Sequence, residues 1–285
     1  MHNCRFFELR WKKPMKMMNS IIMTGFGRIS AACGCHTGRR RKNNEDNFFF
    51  AGRYMASDNN GLGSILEKSF SLKKDRFFAV FDGMGGEEDG EVASHTAAET
   101  MKNFLDGRED ERVDKETFAQ LCLDMNSAVC DKSMGLECGR MGTTFVCLGF
   151  VEDGLYVCNI GDSRAFALRN NEIEQISLDH TDQALLISVE NKSRKPRLTQ
   201  HLGVFSDEMT IEPYINKIDY KVGDRFLICS DGLTDMVAIE MISEIMAESE
   251  DMRASAKNLM AAALEGGGKD NITMIVCGVS DDGAQ

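Results

Sequence analysis

The segment Phe77-Phe-Ala-Val-Phe-Asp82-Gly83 runs from five apolar residues directly into an aspartate and a glycine. Five apolar residues in a row, bounded by a turn signal, predict a short strand that is buried on both faces. Aspartate is uncommon in strands, and its carboxylate is costly to bury unless it is paired or bound to a cation. The end of this strand is therefore a candidate functional site.

Three further aspartates lie beside apolar runs. Residues 155–160 lead to Asp162, residues 226–229 lead to Asp231, and Asp270 precedes the run 272–276. One such aspartate is usual at a turn or a helix cap, but four of them favour a site for a hard cation. Because all the candidate ligands are oxygens, they favour Mg²⁺ or Mn²⁺ over zinc, which prefers histidine and cysteine.

Two such ions can also support phosphoryl chemistry. Held about 3.5–4 Å apart, they can share a hydroxide and bind a phosphoryl group between them. A phosphate substrate needs a cationic partner as well, and the guanidinium fork of arginine matches its oxygens. Arg39-Arg40-Arg41 stands just before Glu45 and Asp46, another pair of acids at the start of an apolar run.

The order of apolar runs predicts the fold class. The patterns predict strands at 27–34, 46–53, 76–82, 142–151, 154–161, 164–169, 172–177, 211–218, 225–230 and 271–279. Helical spacing follows residues 92–105 and 118–129, and again 237–248 and 252–264, with Asp114 and Asp235 as predicted helix caps. Strands and helices come in groups and do not alternate one for one, which indicates an antiparallel α+β fold.

The charge distribution excludes some functions. The chain of 285 residues has a net charge of −12, and its first 44 residues are basic while the rest is strongly acidic. An acidic body disfavours nucleic acid as a partner, because phosphate binding needs basic surface. No apolar run approaches the roughly 18 residues of a membrane helix. We expect residues 1–22 to form a disordered basic tail and residues 23–285 to form one catalytic domain.

The positions of the ten cysteines do not indicate a disulfide framework. Five of them, at 122, 147, 158, 229 and 277, stand inside apolar runs, as in a reduced cytoplasmic protein. Cys33-Gly-Cys35-His36 has no second pair at zinc spacing, which disfavours a zinc site there. We therefore expect a cytoplasmic protein without disulfides.

Nine short motifs, spread along the chain, contain the candidate site residues. In order they are Arg41-Lys-Asn-Asn-Glu45-Asp46, Val80-Phe-Asp82-Gly83-Met84-Gly85-Gly86, Gly90-Glu-Val-Ala-Ser94, Gly142-Thr-Thr144, Gly161-Asp162-Ser-Arg164, Leu178-Asp-His180, Leu198-Thr-Gln-His-Leu-Gly203, Ser230-Asp231-Gly-Leu-Thr-Asp235 and Asp270-Asn-Ile-Thr273. Together they resemble the metal-dependent serine/threonine protein phosphatases (protein phosphatase type 2C), in their compact bacterial form, over about residues 27–280.

The resemblance implies a four-layer α-β-β-α sandwich, with two antiparallel sheets flanked by helix pairs and a metal site at one end. It implies two ions of Mn²⁺ or Mg²⁺, with a bridging hydroxide that attacks the phosphorus of phosphoserine or phosphothreonine. The implied metal ligands are Asp82, the carbonyl of Gly83, Asp231 and Asp270, with Asp162 at a third-metal site. By the same resemblance Glu45 and Asp46 hold metal-bound waters, and Arg41 binds the substrate phosphate.

Departures from the family pattern leave other functions open. Met84 stands where some members, mainly eukaryotic, have a histidine that is proposed as the acid for the leaving oxygen. Bacterial members share the methionine, so a metal-bound water is an alternative acid. Glu87 also differs, where compact members commonly have histidine. The flap, residues 181–198, is shorter than usual. The alternatives are a phosphatase specialised for one phosphoserine protein, and a catalytically weak protein that binds phosphoproteins. We expect phosphoprotein partners that include a serine/threonine kinase, and a monomer.

Overall fold

The structure, a computed structural model, describes residues 27–85, 89–108, 112–135, 140–183 and 195–281. The predicted tail, residues 1–22, lies outside these ranges, as do Glu87 and most of the predicted flap. The described residues form two antiparallel sheets with helices on their outer faces.

The first sheet has the strand order β3-β1-β12-β11-β8-β9. Its strands are β1 (Gly27–His36), β3 (Leu66–Ser71), β8 (Arg164–Arg169), β9 (Glu172–Gln175), β11 (Arg225–Cys229) and β12 (Ile272–Asp281). The second sheet has the order β10-β7-β6-β4-β2, with β5 paired to the far end of β4. Its strands are β2 (Asp46–Phe50), β4 (Arg76–Gly85), β5 (Met141–Thr143), β6 (Phe145–Val151), β7 (Gly154–Ile160) and β10 (Tyr214–Ile218).

The apolar runs are continuous because both faces of the central strands are buried. In β2, Phe48 and Phe50 pack between the two sheets, whereas Phe49 packs under the helices. In β4, Phe78 and Val80 face the first sheet in the same way. Side chains alternate along a strand, so Phe81 faces the helices.

Two groups of helices complete the sandwich. The second sheet is covered by α1 (Gly90–Asp106) and α2 (Lys115–Met134), and the first sheet by α3 (Asp231–Thr234), α4 (Ile239–Glu248) and α5 (Met252–Glu265). Asp114 caps α2 as predicted, because its carboxylate accepts a hydrogen bond from the Thr117 amide at 2.9 Å. The predicted four-layer α+β sandwich is confirmed.

The structure differs from the predicted elements at several boundaries. The predicted strand 46–53 ends at Phe50, because Ala51 and Gly52 take positive φ values of 56° and 77° in a turn. The predicted strand 142–151 is two strands with Thr144 between them. Sequence patterns did not predict β3, an edge strand with only one buried residue.

The predicted cap of the fourth helix is wrong. The N-cap of α4 is Ala238, and Asp235 instead ends the short helix α3. The Asp235 carboxylate forms an ion pair with Lys195 at 2.8 Å.

The eight cysteines within the described ranges are buried and free. No helix in those ranges is both long and apolar enough to span a bilayer.

Candidate active site

Strand ends from both sheets meet at one end of the sandwich, which we call the acidic mouth. There the chain leaves β4, β7 and β11 and enters β2, β8 and β12. Asp46 lies opposite Asp82 in the β2–β4 ladder. Asp162 lies between β7 and β8, Asp231 begins α3 directly after β11, and Asp270 precedes β12. Residues up to 224 positions apart in sequence thus belong to one site.

A buried hydrogen bond ties the two sheets together at the acidic mouth. The Ser230 hydroxyl donates to Asp46 Oδ2 at 2.8 Å and accepts from the Thr273 amide at 3.0 Å. Asp46 and Ser230 are both buried. Because Ser230 directly follows β11 of the first sheet and Asp46 begins β2 of the second, this contact joins the two halves of the site.

Asn271 anchors the loop that carries the predicted basic and acidic residues. Its Oδ1 accepts from the Glu45 amide at 2.8 Å, and its Nδ2 donates to the carbonyls of Thr37 and Asn43, both at 2.9 Å. The preceding residue, Asp270, accepts a hydrogen bond at its Oδ1 from the Asn271 amide at 2.8 Å. One buried amide side chain therefore fixes the 37–45 loop beside Asp270.

Glycine is required at position 83 for steric reasons. A Cβ there would lie 2.1 Å from the Gly90 carbonyl oxygen and 2.4 Å from that of Glu45. The Gly83 amide donates to the Glu45 carbonyl at 3.2 Å. This close approach holds the start of α1, the arginine-bearing loop and the end of β4 together.

The carboxylates of the acidic mouth are held at an electrostatic cost. Burial raises the pKa of Asp46 to about 7, although its hydrogen bonds from Ser230 and Thr273 oppose the shift. Burial and repulsion from Asp46 and Asp231 raise the pKa of Asp82 well above its usual value. Burial likewise raises the pKa of Asp162 to about 6. A cluster of buried like charges favours cations in its vicinity.

The pKa values of Asp231 and Glu45 are also raised, mainly by burial. For Asp231 the ammonium of Lys195 opposes that shift, and for Glu45 the guanidinium of Arg41 does so.

Two basic side chains form ion pairs with carboxylates of the acidic mouth. Arg41 Nη2 donates to Asp270 Oδ2 at 2.8 Å, and its Nη1 lies 3.5 Å from Glu45 Oε2. Lys195 forms ion pairs with Asp231 and Asp235. Arg41 is 47% exposed, so its guanidinium is held by carboxylates yet open to a ligand.

The donor set fits a hard divalent cation by its chemistry. It consists of carboxylate and carbonyl oxygens, the ligands that Mg²⁺ and Mn²⁺ prefer. Within the described residues no three acidic, histidine or cysteine side chains already surround a common point. Two carboxylates of this set instead form ion pairs, Asp270 with Arg41 and Asp231 with Lys195. A divalent cation at these carboxylates therefore competes with both basic side chains.

All the predicted site residues lie at the acidic mouth: Arg41, Glu45, Asp46, Asp82, Gly83, Asp162, Asp231 and Asp270. Sequence reasoning did not identify Ser230, Asn271 or Lys195 as parts of the site. Ser230 and Asn271 each adjoin a predicted ligand within a quoted motif, and that adjacency is the signal that could have found them. No local pattern pairs Lys195 with Asp231, 36 residues away.

Comparisons with known proteins agree on one family. The family model described as Protein phosphatase 2C matches residues 34–185, more than half of the chain. Serine/threonine protein phosphatase PstP of Mycobacterium tuberculosis is 32% identical over 239 residues, which cover 80% of this chain and 45% of PstP. The chain thus spans about half the length of that relative. Serine/threonine phosphatase stp of Listeria innocua is 28% identical over 251 residues, covering 84% of this chain and 91% of stp.

Solved structures have the same fold. The catalytic domain of PstP in complex with two manganese ions is 28% identical, with a TM-score of 0.66, covering 89% of this chain and 100% of that one. A Mycobacterium smegmatis phosphatase, MsPP, solved in complex with cacodylate, is 27% identical with a TM-score of 0.68. The match covers 87% of this chain and 97% of the MsPP chain.

Proposed function

The chain belongs to the protein phosphatase 2C family, and from this premise we propose that it is a metal-dependent phosphoprotein phosphatase for phosphoserine and phosphothreonine. The observation that carries the proposal is the acidic mouth itself. Asp46 and Asp82 of the second sheet lie near Asp231 and Asp270, which adjoin β11 and β12 of the first sheet, and Arg41 contacts Asp270.

The metal-binding roles are assigned from the family pattern, and the gathering of these acids at the acidic mouth supports them. We assign Asp82, the Gly83 carbonyl, Asp231 and Asp270 as ligands of two Mn²⁺ or Mg²⁺ ions, with Asp162 beside Asp231 as a candidate ligand of a third. Such ions, when bound, lower the pKa of water and draw charge from a phosphoryl group. Glu45 and Asp46, next to these ligands, orient water.

Arg41 is the proposed phosphate-binding residue. Its guanidinium already makes a charge-assisted hydrogen bond to Asp270, and that bond raises its pKa, so the group stays cationic. The planar fork suits two phosphate oxygens. Because Asp270 holds one edge of the guanidinium and half of the side chain is exposed, an incoming phosphate can meet a positioned cation.

Partners and location are further proposals. The substrates are phosphorylated proteins, including a serine/threonine kinase, and the phosphatase acts as a cytoplasmic monomer in signalling. The buried free cysteines support a reducing compartment. The acidic composition disfavours nucleic acid as a ligand.

The test is phosphate release from phosphoserine and phosphothreonine peptides in the presence of Mn²⁺, with a phosphotyrosine peptide as comparison. The proposal predicts phosphate release from the phosphoserine and phosphothreonine peptides. It also predicts that Asp82→Asn loses this release, because the variant lacks a central anionic ligand. A folded, metal-loaded protein that releases no phosphate from either peptide would instead support a phosphoprotein-binding role.

A further inference from the structure

The inner face of β4 is the face that packs toward the first sheet. It extends past Asp82 to the end of the strand. Phe78 and Val80 pack between the two sheets, and side chains two residues apart share a face. Asp82 and Met84 therefore follow on that face at the acidic mouth. At roughly 3.3 Å per residue, Met84 is about 6–7 Å beyond Asp82 along the strand. Met84 thus lies on the same face of β4 as Asp82, one of the proposed metal ligands.

A histidine covers the strand next to Met84 on this same face. Gly142 of β5 lies opposite Met84, and cross-strand neighbours share a face. Its neighbour Met141 packs under the helices, so Gly142 faces away from them. A Cβ at Gly142 would lie 2.6 Å from His201 Nδ1. The imidazole of His201 thus occupies the space beside Met84 that a side chain at 142 would fill.

The hydrogen bonds of His201 define which nitrogen can exchange a proton. Nδ1 lies 2.9 Å from the Leu202 carbonyl oxygen, which can only accept, so Nδ1 carries a hydrogen. Within the described parts of the chain, Nε2 has no hydrogen-bond partner. Leu202 is itself anchored by two backbone hydrogen bonds to Thr143. The ring is therefore fixed through Nδ1 while Nε2 is available for proton transfer.

His180, the other histidine near the flap, has a different hydrogen-bonding arrangement from that of His201. Its Nδ1 accepts a hydrogen bond from the Gly161 amide at 3.1 Å, and burial lowers its pKa. Both features favour a neutral imidazole that orders the chain beside Asp162. A neutral imidazole is a poor proton donor.

We propose that His201 is the general acid of this phosphatase, supplying the proton that the thioether of Met84 cannot. The inference rests on the proposed function. As the bond between phosphorus and the substrate serine oxygen breaks, its electron pair stays on that oxygen, which takes the Nε2 proton of the doubly protonated, cationic His201 ring. Water contributes the new oxygen on phosphorus, and the proton that water loses returns through solvent to the neutral imidazole. Nδ1 keeps its hydrogen bond to Leu202 throughout.

The test compares two leaving groups in one variant. His201→Asn keeps an amide N–H close to the Nδ1 position but removes the proton carried by Nε2. A serine alkoxide needs protonation as it leaves, whereas p-nitrophenolate is a stable anion. The ratio of kcat on a phosphoserine peptide to kcat on p-nitrophenyl phosphate should therefore fall by about 10²–10⁴-fold, the usual contribution of general acid catalysis. A purely structural role would lower both rates alike.

The matched control is His95→Asn. His95 lies on α1, and its Nδ1 makes the same contact as that of His201, 2.9 Å from the Met55 carbonyl oxygen. This control should leave the ratio unchanged. His201→Gln is the second variant, measured in parallel so that the comparison does not depend on the folding of His201→Asn. Thermal unfolding checks both.

Two results would overturn the inference, and they have different meanings. If the wild-type protein hydrolyses both substrates and the ratio stays the same in the folded His201 variants, His201 is not the acid and the proposed function stands. If the wild-type, metal-loaded protein hydrolyses neither substrate, the proposed function fails and the inference fails with it.

Discussion

Replacing Arg41 with alanine should lower kcat/KM for a phosphoserine peptide by roughly ten- to 150-fold. The structure places its guanidinium 2.8 Å from Asp270 and 3.5 Å from Glu45, so it stands at the acidic mouth with a defined orientation. A charge-assisted arginine–phosphate interaction contributes about 1.5–3 kcal/mol, and each 1.36 kcal/mol is tenfold in rate. Because the side chain is 47% exposed, solvent screening favours the lower half of that range.

The assay is a comparison of kcat/KM with a Mn²⁺ titration alongside. Metal affinity should not weaken in Arg41→Ala, since Arg41 competes for Asp270 and is not a ligand. Arg41→Lys should recover only part of the loss, because an ammonium keeps the charge but lacks the fork.

Arg39 and Arg40 are the matched controls. Both side chains are exposed, and within the described ranges neither forms an ion pair. Arg39→Ala and Arg40→Ala should each cost much less activity than Arg41→Ala. If Arg40→Ala cripples the enzyme while Arg41→Ala is mild, the assignment of the loop is off by one residue, and the roles of Glu45 and Asp46 need revision too.

Asp231→Asn and Asp270→Asn should each remove nearly all turnover while circular dichroism stays native, because an amide cannot offset cation charge; near-normal turnover in either variant would refute the ligand assignment. In excess chelator, the free energy of unfolding should fall as pH rises from about 4 to about 7. The reason is that the pKa of Asp46 is raised to about 7 in the folded state, which therefore binds the proton more tightly than the unfolded state. Asp46 contributes at most roughly 1.4 kcal/mol per pH unit to this fall. Urea denaturation should show a shallower pH dependence in Asp46→Asn, and an identical slope would contradict this explanation. Lys195→Ala should tighten Mn²⁺ binding by up to about fivefold by calorimetry, as expected from the loss of a partly exposed ion pair of about 0.2–1 kcal/mol; weaker binding would show that Lys195 supports the metal site.

The sequence predicted the layers of the fold because the layers depend on local patterns. Runs such as residues 77–81 are apolar throughout, which is what a strand buried between a sheet and helices requires. β3 was missed for the opposite reason. Leu66–Ser71 is an edge strand with one buried residue, Phe70, so neither alternation nor a continuous apolar run marks it.

The site was predictable where an acid interrupts an apolar run, and not where a contact joins distant segments. Asp82 and Asp231 stand out locally, whereas the bond from Ser230 to Asp46 crosses 184 positions and two sheets. Asp235 was misread as the cap of α4 because its partner Lys195 comes from another loop. The position of His201 beside Met84 depends on the pairing of β4 with β5, which no local pattern gives.

The central claim is that the acidic mouth works by holding divalent cations against a substrate phosphate. The most direct measurement is phosphate release from a phosphoserine peptide by protein treated with excess EDTA, followed by back-titration with Mn²⁺ and counting of the bound ions. We predict that chelation abolishes release, and that activity returns as at least two ions bind per chain. Full activity in excess EDTA would contradict the account.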